Sequence, residues 1–266
     1  MRKSILSLFF ISLTNLVFAW GERPMDAIRL YTVPKSGTHL LWKACSLLYG
    51  EYAPPQDQEN KCYFHSILNG EDDYKPMPFS SDLKYLTSIR DPRDLLISHI
   101  HYFDERLKVN PNKVKSRKKE LKKWKKLTFE QKLDLLVQKD PSSALSIKWI
   151  EASIAAAHAI KDKENFLIIR FEDLVGEKGG GCREKQIETL KRIVAFIDDP
   201  VDDASIEIIA DKLWGNEIGG ALHNWMSSDT YRKGTVGQWK EIYTKEQLEH
   251  FNKNWAHEME LLGYEL

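Results

Sequence analysis

The chain has 266 residues, 42% of them hydrophobic and 11% aromatic, enough to bury a core and fold as one domain. Its 39 Lys and Arg balance 39 Asp and Glu, so no global attraction to nucleic acid follows. Three cysteines (Cys45, Cys62 and Cys182) are too few and too widely spaced for a disulfide framework or a zinc site.

At the N-terminus, Arg2 and Lys3 precede an apolar run from Ser4 to Phe18, with Val17 and Ala19 at the −3 and −1 positions of a cleavage before Trp20. The pattern predicts a secretory signal over residues 1–19 and a secreted, periplasmic or lumenal protein. Left uncleaved, the run is a short signal anchor that keeps the protein on a membrane. No Asn-x-Ser/Thr sequon occurs, which favours a bacterial type of export over a glycosylating lumen.

Ile28 to Val33 reads as a strand that runs into the turn Lys35, Ser36, Gly37, Thr38 and then into a helix. Leu40, Leu41, Ala44, Leu47 and Leu48 recur at helical spacing, and Gly50 stops the helix. A strand, a short turn and a helix N-terminus form an oxyanion cradle: backbone N–H groups and the helix dipole favour negative charge there, and Lys35 adds a cation. No G-x-x-x-x-G-K-[S/T] sequence occurs, which disfavours an ordinary ATPase or GTPase. A solvated lysine on a plain strand–helix turn is the competing reading at this point.

Lys61 to Phe64 gives a short strand signal that ends at His65. Tyr85 to Ile89 is a further strand with Arg90 at its carboxyl end. Asp91 and Pro92 then supply an N-cap and a first helical residue. Ser98 lies eight residues along that helix, where its hydroxyl and the Arg90 guanidinium can converge on one anion. Between Lys113 and Lys126 there are nine Lys or Arg and one acid, read either as a solvated helical face or as a contact for an anionic partner or membrane surface. Ala152 to Ala159 is helical, Phe166 to Phe171 is a strand, and Gly176 to Gly181 is a flexible turn. Tyr231 to Lys240 is a basic, glycine-containing loop able to close over a phosphate. Strands alternating with helices predict an α/β fold: a single domain with a central parallel sheet flanked by helices and its ligand at the strands' carboxyl ends.

The motifs "PKSGTHL", "SIRDPRDLLISH", "IIRFEDL" and "RKGTVGQWK" resemble, in order and spacing, the signatures of sulfotransferases that use 3′-phosphoadenosine 5′-phosphosulfate (PAPS), particularly the cytosolic type. The resemblance implies a P-loop-like sulfotransferase domain over residues 27–266, metal-free transfer of a sulfuryl group to an acceptor hydroxyl or amine, and release of 3′-phosphoadenosine 5′-phosphate (PAP). It further implies that Lys35, Ser36, Gly37, Thr38 and His39 wrap the 5′-phosphosulfate, with Lys35 steadying the bridging oxygen. Arg90 and Ser98 would hold the 3′-phosphate, Arg232, Lys233 and Gly234 would close over it, and Phe171 would stand where a family tyrosine approaches adenine. His65 falls where the family places its catalytic histidine, with His39, His99 and His101 as rivals; a base with a pKa near neutrality suits proton removal from an acceptor.

The chain departs from the family at Leu40, where a tryptophan usually stacks on adenine; Trp42 and Trp214 are the candidate replacements. Lys240, Thr244 and Glu249 match three positions of a short dimer motif of cytosolic relatives, but Lys245 replaces its valine, which leaves a dimer open. The implied acceptor is a small molecule, glycan or lipid. A PAP-binding protein without turnover is the main alternative, and a nucleotide-dependent kinase the next. An exported enzyme of this kind needs a compartment supplied with the cytosolic donor.

Overall fold

The computed structural model of the chain describes residues 28–49, 81–109, 118–215 and 233–266. Three strands form one parallel sheet in the order β1 (Ile28–Leu30), β2 (Lys84–Ile89), β3 (Phe166–Arg170). Registers run from Ile28 opposite Lys84 and from Tyr85 opposite Phe166. β1 is shorter than the strand signal from Ile28 to Val33, yet the ladder continues past it: Tyr31 N–H donates to the Leu86 carbonyl (2.8 Å) and Val33 N–H to the Ser88 carbonyl (3.1 Å). The strand signal from Lys61 to Phe64, His65, Arg232 and the signal over residues 1–19 lie outside the described residues.

The first helix, α1 (Thr38–Tyr49), follows β1, and α2 (Pro92–Val109) follows β2. Asp91 caps α2 as its sequence predicts, its Oδ1 accepting the Arg93 N–H at 2.8 Å. After α2 come α3 (Lys118–Trp124), α4 (Phe129–Val137) and α5 (Ile147–Ile160), which contains the alanine-rich run. The strand β3 stops at Arg170, one residue short of the sequence expectation, and "FEDL" forms a single helical turn, α6 (Phe171–Leu174). It is followed by α7 (Arg183–Ile197), α8 (Asp203–Leu213), α9 (Trp239–Ile242), α10 (Lys245–Asn254) and α11 (Ala256–Leu262).

The sheet is covered on both faces, as parallel sheets are. On one side Leu41, Trp42 and Leu48 of α1 pack with Leu86, Ile169, Leu190 of α7 and Leu213 of α8. On the other, Leu95, Leu96 and Ile100 of α2 meet Ile150 and Ile154 of α5 and Phe251 and Trp255 from the C-terminal helices. Trp42 is thus a core residue, 1% exposed, and unavailable for stacking on a ligand. Leu40 and Leu47 lie at the margin of this packing. Thr244 caps α10 through a reciprocal bond with Gln247, a local structural role for one residue of the dimer motif.

Candidate active site

Parallel strands in one sheet deliver their carboxyl ends to one edge, and three of the motifs sit there. β1 leads to the loop at Lys35, β2 ends beside Arg90, and β3 ends beside Phe171. Gly37 takes φ +99°, and a Cβ there would collide with the Phe171 ring, so glycine is required for this close approach. Lys35 also adopts a left-handed backbone, φ 67°, a conformation that costs a non-glycine residue about 1–2 kcal/mol.

Ser36 is wholly buried and turned inward. Its hydroxyl bonds the Val33 carbonyl, the Ser88 carbonyl (2.7 Å) and Ser88 Oγ (2.8 Å), and its N–H donates to the Val33 carbonyl (3.1 Å). This residue shapes the loop and fastens it to β2. The donors at the start of α1 are those of its first turn: Leu41 N–H already bonds the Gly37 carbonyl, whereas the N–H groups of Thr38 and Leu40 have no acceptor within α1. The Thr38 hydroxyl pairs with that of Thr32 at 2.5 Å.

Arg90 is 5% exposed. Its guanidinium stacks on Phe171, 4.4 Å from the ring centroid, donates to the Thr235 carbonyl at 2.7 Å and pairs with Asp94 Oδ2 at 3.4 Å. Its Nε is buried without a hydrogen-bond acceptor among the described residues, which leaves a charged N–H available to an anionic ligand. Phe171 is itself 5% exposed, wedged between Gly37 and Arg90, so it braces the site and offers no open face for a purine.

Lys35 Nζ lies 4.2 Å from the centre of the Tyr102 ring. Burial, and then the positive charge of Arg90, pull its pKa from an ordinary 10.5 to about 8. Asp94, Ser98 and Tyr102 follow at i, i+4 and i+8 on α2 and share one face. Asp94 meets Arg90 and Tyr102 meets Lys35, so Ser98, half-buried, lies on the face between the two cations. The rival histidines turn away: His99 packs edge-on against Trp149 (5.3 Å) and His101 stacks on Phe129 (4.9 Å). His39 is half-buried in the first turn of α1.

Sequence reasoning missed Asp94. Its Oδ2 accepts the Gly237 N–H at 2.7 Å and its Oδ1 the Trp239 N–H at 3.0 Å, which ties the C-terminal basic loop to α2 beside Arg90. Burial raises the Asp94 pKa, a rise opposed by Arg90 and by the two N–H donors. Its signal was the i, i+4 spacing from Arg90. The same loop reaches the turn at Gly176 to Gly181, which is packed and not free: Val236 N–H donates to the Gly179 carbonyl at 2.9 Å. A Cβ at Gly179 would stand 2.9 Å from the Gly234 carbonyl and 3.1 Å from Trp214 Cδ1, so Trp214 lies beside Gly234. Trp214 is half-buried, and its indole N–H finds no acceptor among the described residues. Lys43, fully buried, donates to the carbonyls of Trp214 (3.5 Å) and Gly215 (2.9 Å) at the end of α8. Lys233 is exposed, and Gly234 takes φ 63°.

Among the described residues no group of three or more His, Cys, Asp or Glu is placed to hold a metal ion. The arrangement suits an anionic ligand: two cations, helix-end N–H groups and a hydroxyl stand at the carboxyl edge of a parallel sheet.

Comparison with known proteins agrees with this chemistry. The model of the sulfotransferase domain matches residues 72–263. A 3-beta-hydroxysteroid sulfotransferase of Cavia porcellus is 25% identical over 191 residues, covering 68% of this chain and 58% of that protein. The chain thus spans under two thirds of this relative's length. Sulfotransferase 2A6 of Mus musculus is 25% identical over 260 residues, covering 84% of this chain and 81% of the relative. Mouse sulfotransferase SULT7A1, solved in complex with PAP, superposes with a TM-score of 0.59 at 22% identity over 90% of this chain and 89% of that one.

Proposed function

From the premise that the chain belongs to the sulfotransferase-domain family, we propose that it moves a sulfuryl group from PAPS to an acceptor hydroxyl or amine by in-line transfer. The observation that carries this reading is the placement of Lys35 and Arg90, both largely withdrawn from water, after the carboxyl ends of the neighbouring strands β1 and β2, where burial and then the charge of Arg90 pull the Lys35 pKa to about 8. Such a pair is stabilised by a ligand that brings a separate anionic group to each cation. Arg90 contributes a buried N–H without an acceptor, and α1 contributes helix-end donors.

When bound, the donor supplies an activated sulfuryl group whose leaving phosphate must be held by cations. The Lys35 ammonium, mostly protonated at pH 7, steadies charge on the bridging oxygen, while the N–H groups of Thr38 and His39 hold the 5′-phosphosulfate. Arg90 and Ser98 hold the 3′-phosphate, with Arg232, Lys233 and Gly234 closing on it. Trp214, beside Gly234, supplies the apolar surface for the purine that Leu40 does not. His65 takes the acceptor proton as the new S–O bond forms and the bond to the leaving phosphate breaks. The hydroxysteroid named for the Cavia porcellus relative makes a small-molecule hydroxyl the first acceptor class to examine.

Calorimetric titration of the chain with PAP, AMP and ATP tests the reading. Binding that requires the 3′-phosphate and is lost in Arg90→Ala supports it; preference for ATP overturns it in favour of a kinase. With PAPS and a panel of hydroxysteroids and phenols, turnover lost in His65→Ala while PAP binding is kept marks an enzyme. A wild-type chain that binds PAP but never turns over is a binding protein.

A further inference from the structure

The geometry points to the lysine face of α3 as a docking surface for an anionic lipid membrane. Lys119, Lys122 and Lys123 fall at i, i+3 and i+4 and occupy an arc of about 100°. Leu121 and Trp124 lie on the opposite side and are buried. The turn that follows continues the helix, with Lys125 N–H bonded to the Leu121 carbonyl and Lys126 N–H to the Lys123 carbonyl. All five lysines are exposed, and among the described residues none of them enters an ion pair. Glu120, half-buried, is the one acid on α3.

The placement of α3 separates this surface from the reaction. Trp124 packs edge-on against Phe103 (5.7 Å) and donates its indole N–H to Asp104 Oδ1 (2.8 Å). Phe103 and Asp104 stand about 100° and 200° around α2 from Tyr102, the residue that meets Lys35. The lysines therefore sit behind α2 as seen from the anion site and do not line it, which makes them a poor guide for an acceptor.

The side-chain chemistry selects the partner. All five of these cations are ammonium point charges, which answer to negative potential and do not read a sulfate or carboxylate in a bidentate way. Trp124, the aromatic residue of α3, is 1% exposed and presents no ring for base stacking. A row of exposed ammonium groups, with no ion pair and no exposed large apolar residue among the described residues of this face, matches a broad negative surface potential, reached without insertion.

Each lysine near an anionic surface strengthens partition about fivefold, so the five together give well over about 100-fold at low salt. The test is co-sedimentation of the full chain with phosphatidylcholine vesicles, with and without about 30 mol% phosphatidylserine. It is run at about 0.1 M and about 1 M salt and repeated with a variant carrying Lys→Gln at residues 119, 122, 123, 125 and 126. Thermal melting of both chains confirms that the variant folds. The expected result is binding that needs phosphatidylserine, falls at least about 100-fold in the variant and disappears at about 1 M salt. Equal binding to neutral vesicles, binding unchanged in the variant, or retention on heparin or RNA without vesicle binding each overturns the assignment.

Discussion

Arg90 and Lys35 at the sheet edge and the five lysines of α3 carry the same charge in opposite surroundings. The first pair is largely withdrawn from water, so every neighbour matters: Phe171, Asp94 and Thr235 hold Arg90, Tyr102 lies under Lys35, and repulsion between the two cations reaches the Lys35 pKa. The α3 lysines stand in water, where high dielectric and salt leave each nearly independent. A cation's environment, not its presence, separates a site that binds one anion in one geometry from a surface that answers to the sum of its charges.

The comparison breaks most sharply at Arg90. Arg90→Ala leaves Asp94 buried without its cation, and loss of a buried pair's partner costs about 3–5 kcal/mol. The expected outcome is a large fall in thermal stability together with PAP affinity reduced at least about 100-fold, read by melting and calorimetry. Gly37→Ala comes next. Its positive φ and the collision with Phe171 combine a left-handed strain of about 1–2 kcal/mol with overpacking of about 1–3 kcal/mol, so the variant melts earlier and binds PAP weakly even at low temperature.

Asp94→Asn keeps the shape but removes the charge opposite Arg90 and sets an amide N–H against the Gly237 or Trp239 N–H. Selectivity for PAP over AMP should fall about tenfold, the effect of roughly one charge-assisted bond, while AMP affinity changes little. A smaller effect sharpens the role of Lys35. Its folded pKa of about 8 lies below the ordinary 10.5, so between those values the unfolded chain holds a proton the folded chain has released, and stability rises with pH across the window. PAP affinity moves the other way, falling as pH passes 8 and the ammonium is lost. Lys35→Met should flatten both profiles in pH-dependent melting and calorimetry. The smallest effect belongs to the exposed face: Lys→Gln at all five α3 positions should move stability by less than about 0.5 kcal/mol per residue and leave PAP affinity unchanged.

Local order made much of this legible before any tertiary contact was known. The strand, turn and helix start at Ile28 to Leu48, and the Asp91–Pro92 cap after β2, are decided within a few residues by periodicity, capping chemistry and proline geometry. They suffice to place Lys35 and Arg90 at carboxyl ends of strands and hence at one edge of a parallel sheet. The α3 lysines were equally legible as a charged helical face, because helical spacing alone sorts them from Leu121 and Trp124.

Contacts between distant segments decided the rest. Ser36 looks from its neighbours like an anion donor, yet Ser88, 52 residues away, claims its hydroxyl. Phe171 looks like a stacking platform until Gly37 and Arg90 close on it, and Trp42 looks like a spare aromatic until α7 and α8 bury it. Asp94 gains its part only when Gly237 and Trp239, more than 140 residues on, bring their N–H groups to its carboxylate. The sequence by itself determined which residues carry charge, the approximate course of β1, β2, β3, α1 and α2, and that the motifs gather at the strands' carboxyl ends. Only the tertiary structure decided which polar groups are spent on one another and which remain for a ligand, because a hydrogen bond is settled by whichever partner burial brings within about 3 Å, and that is a property of the packed chain.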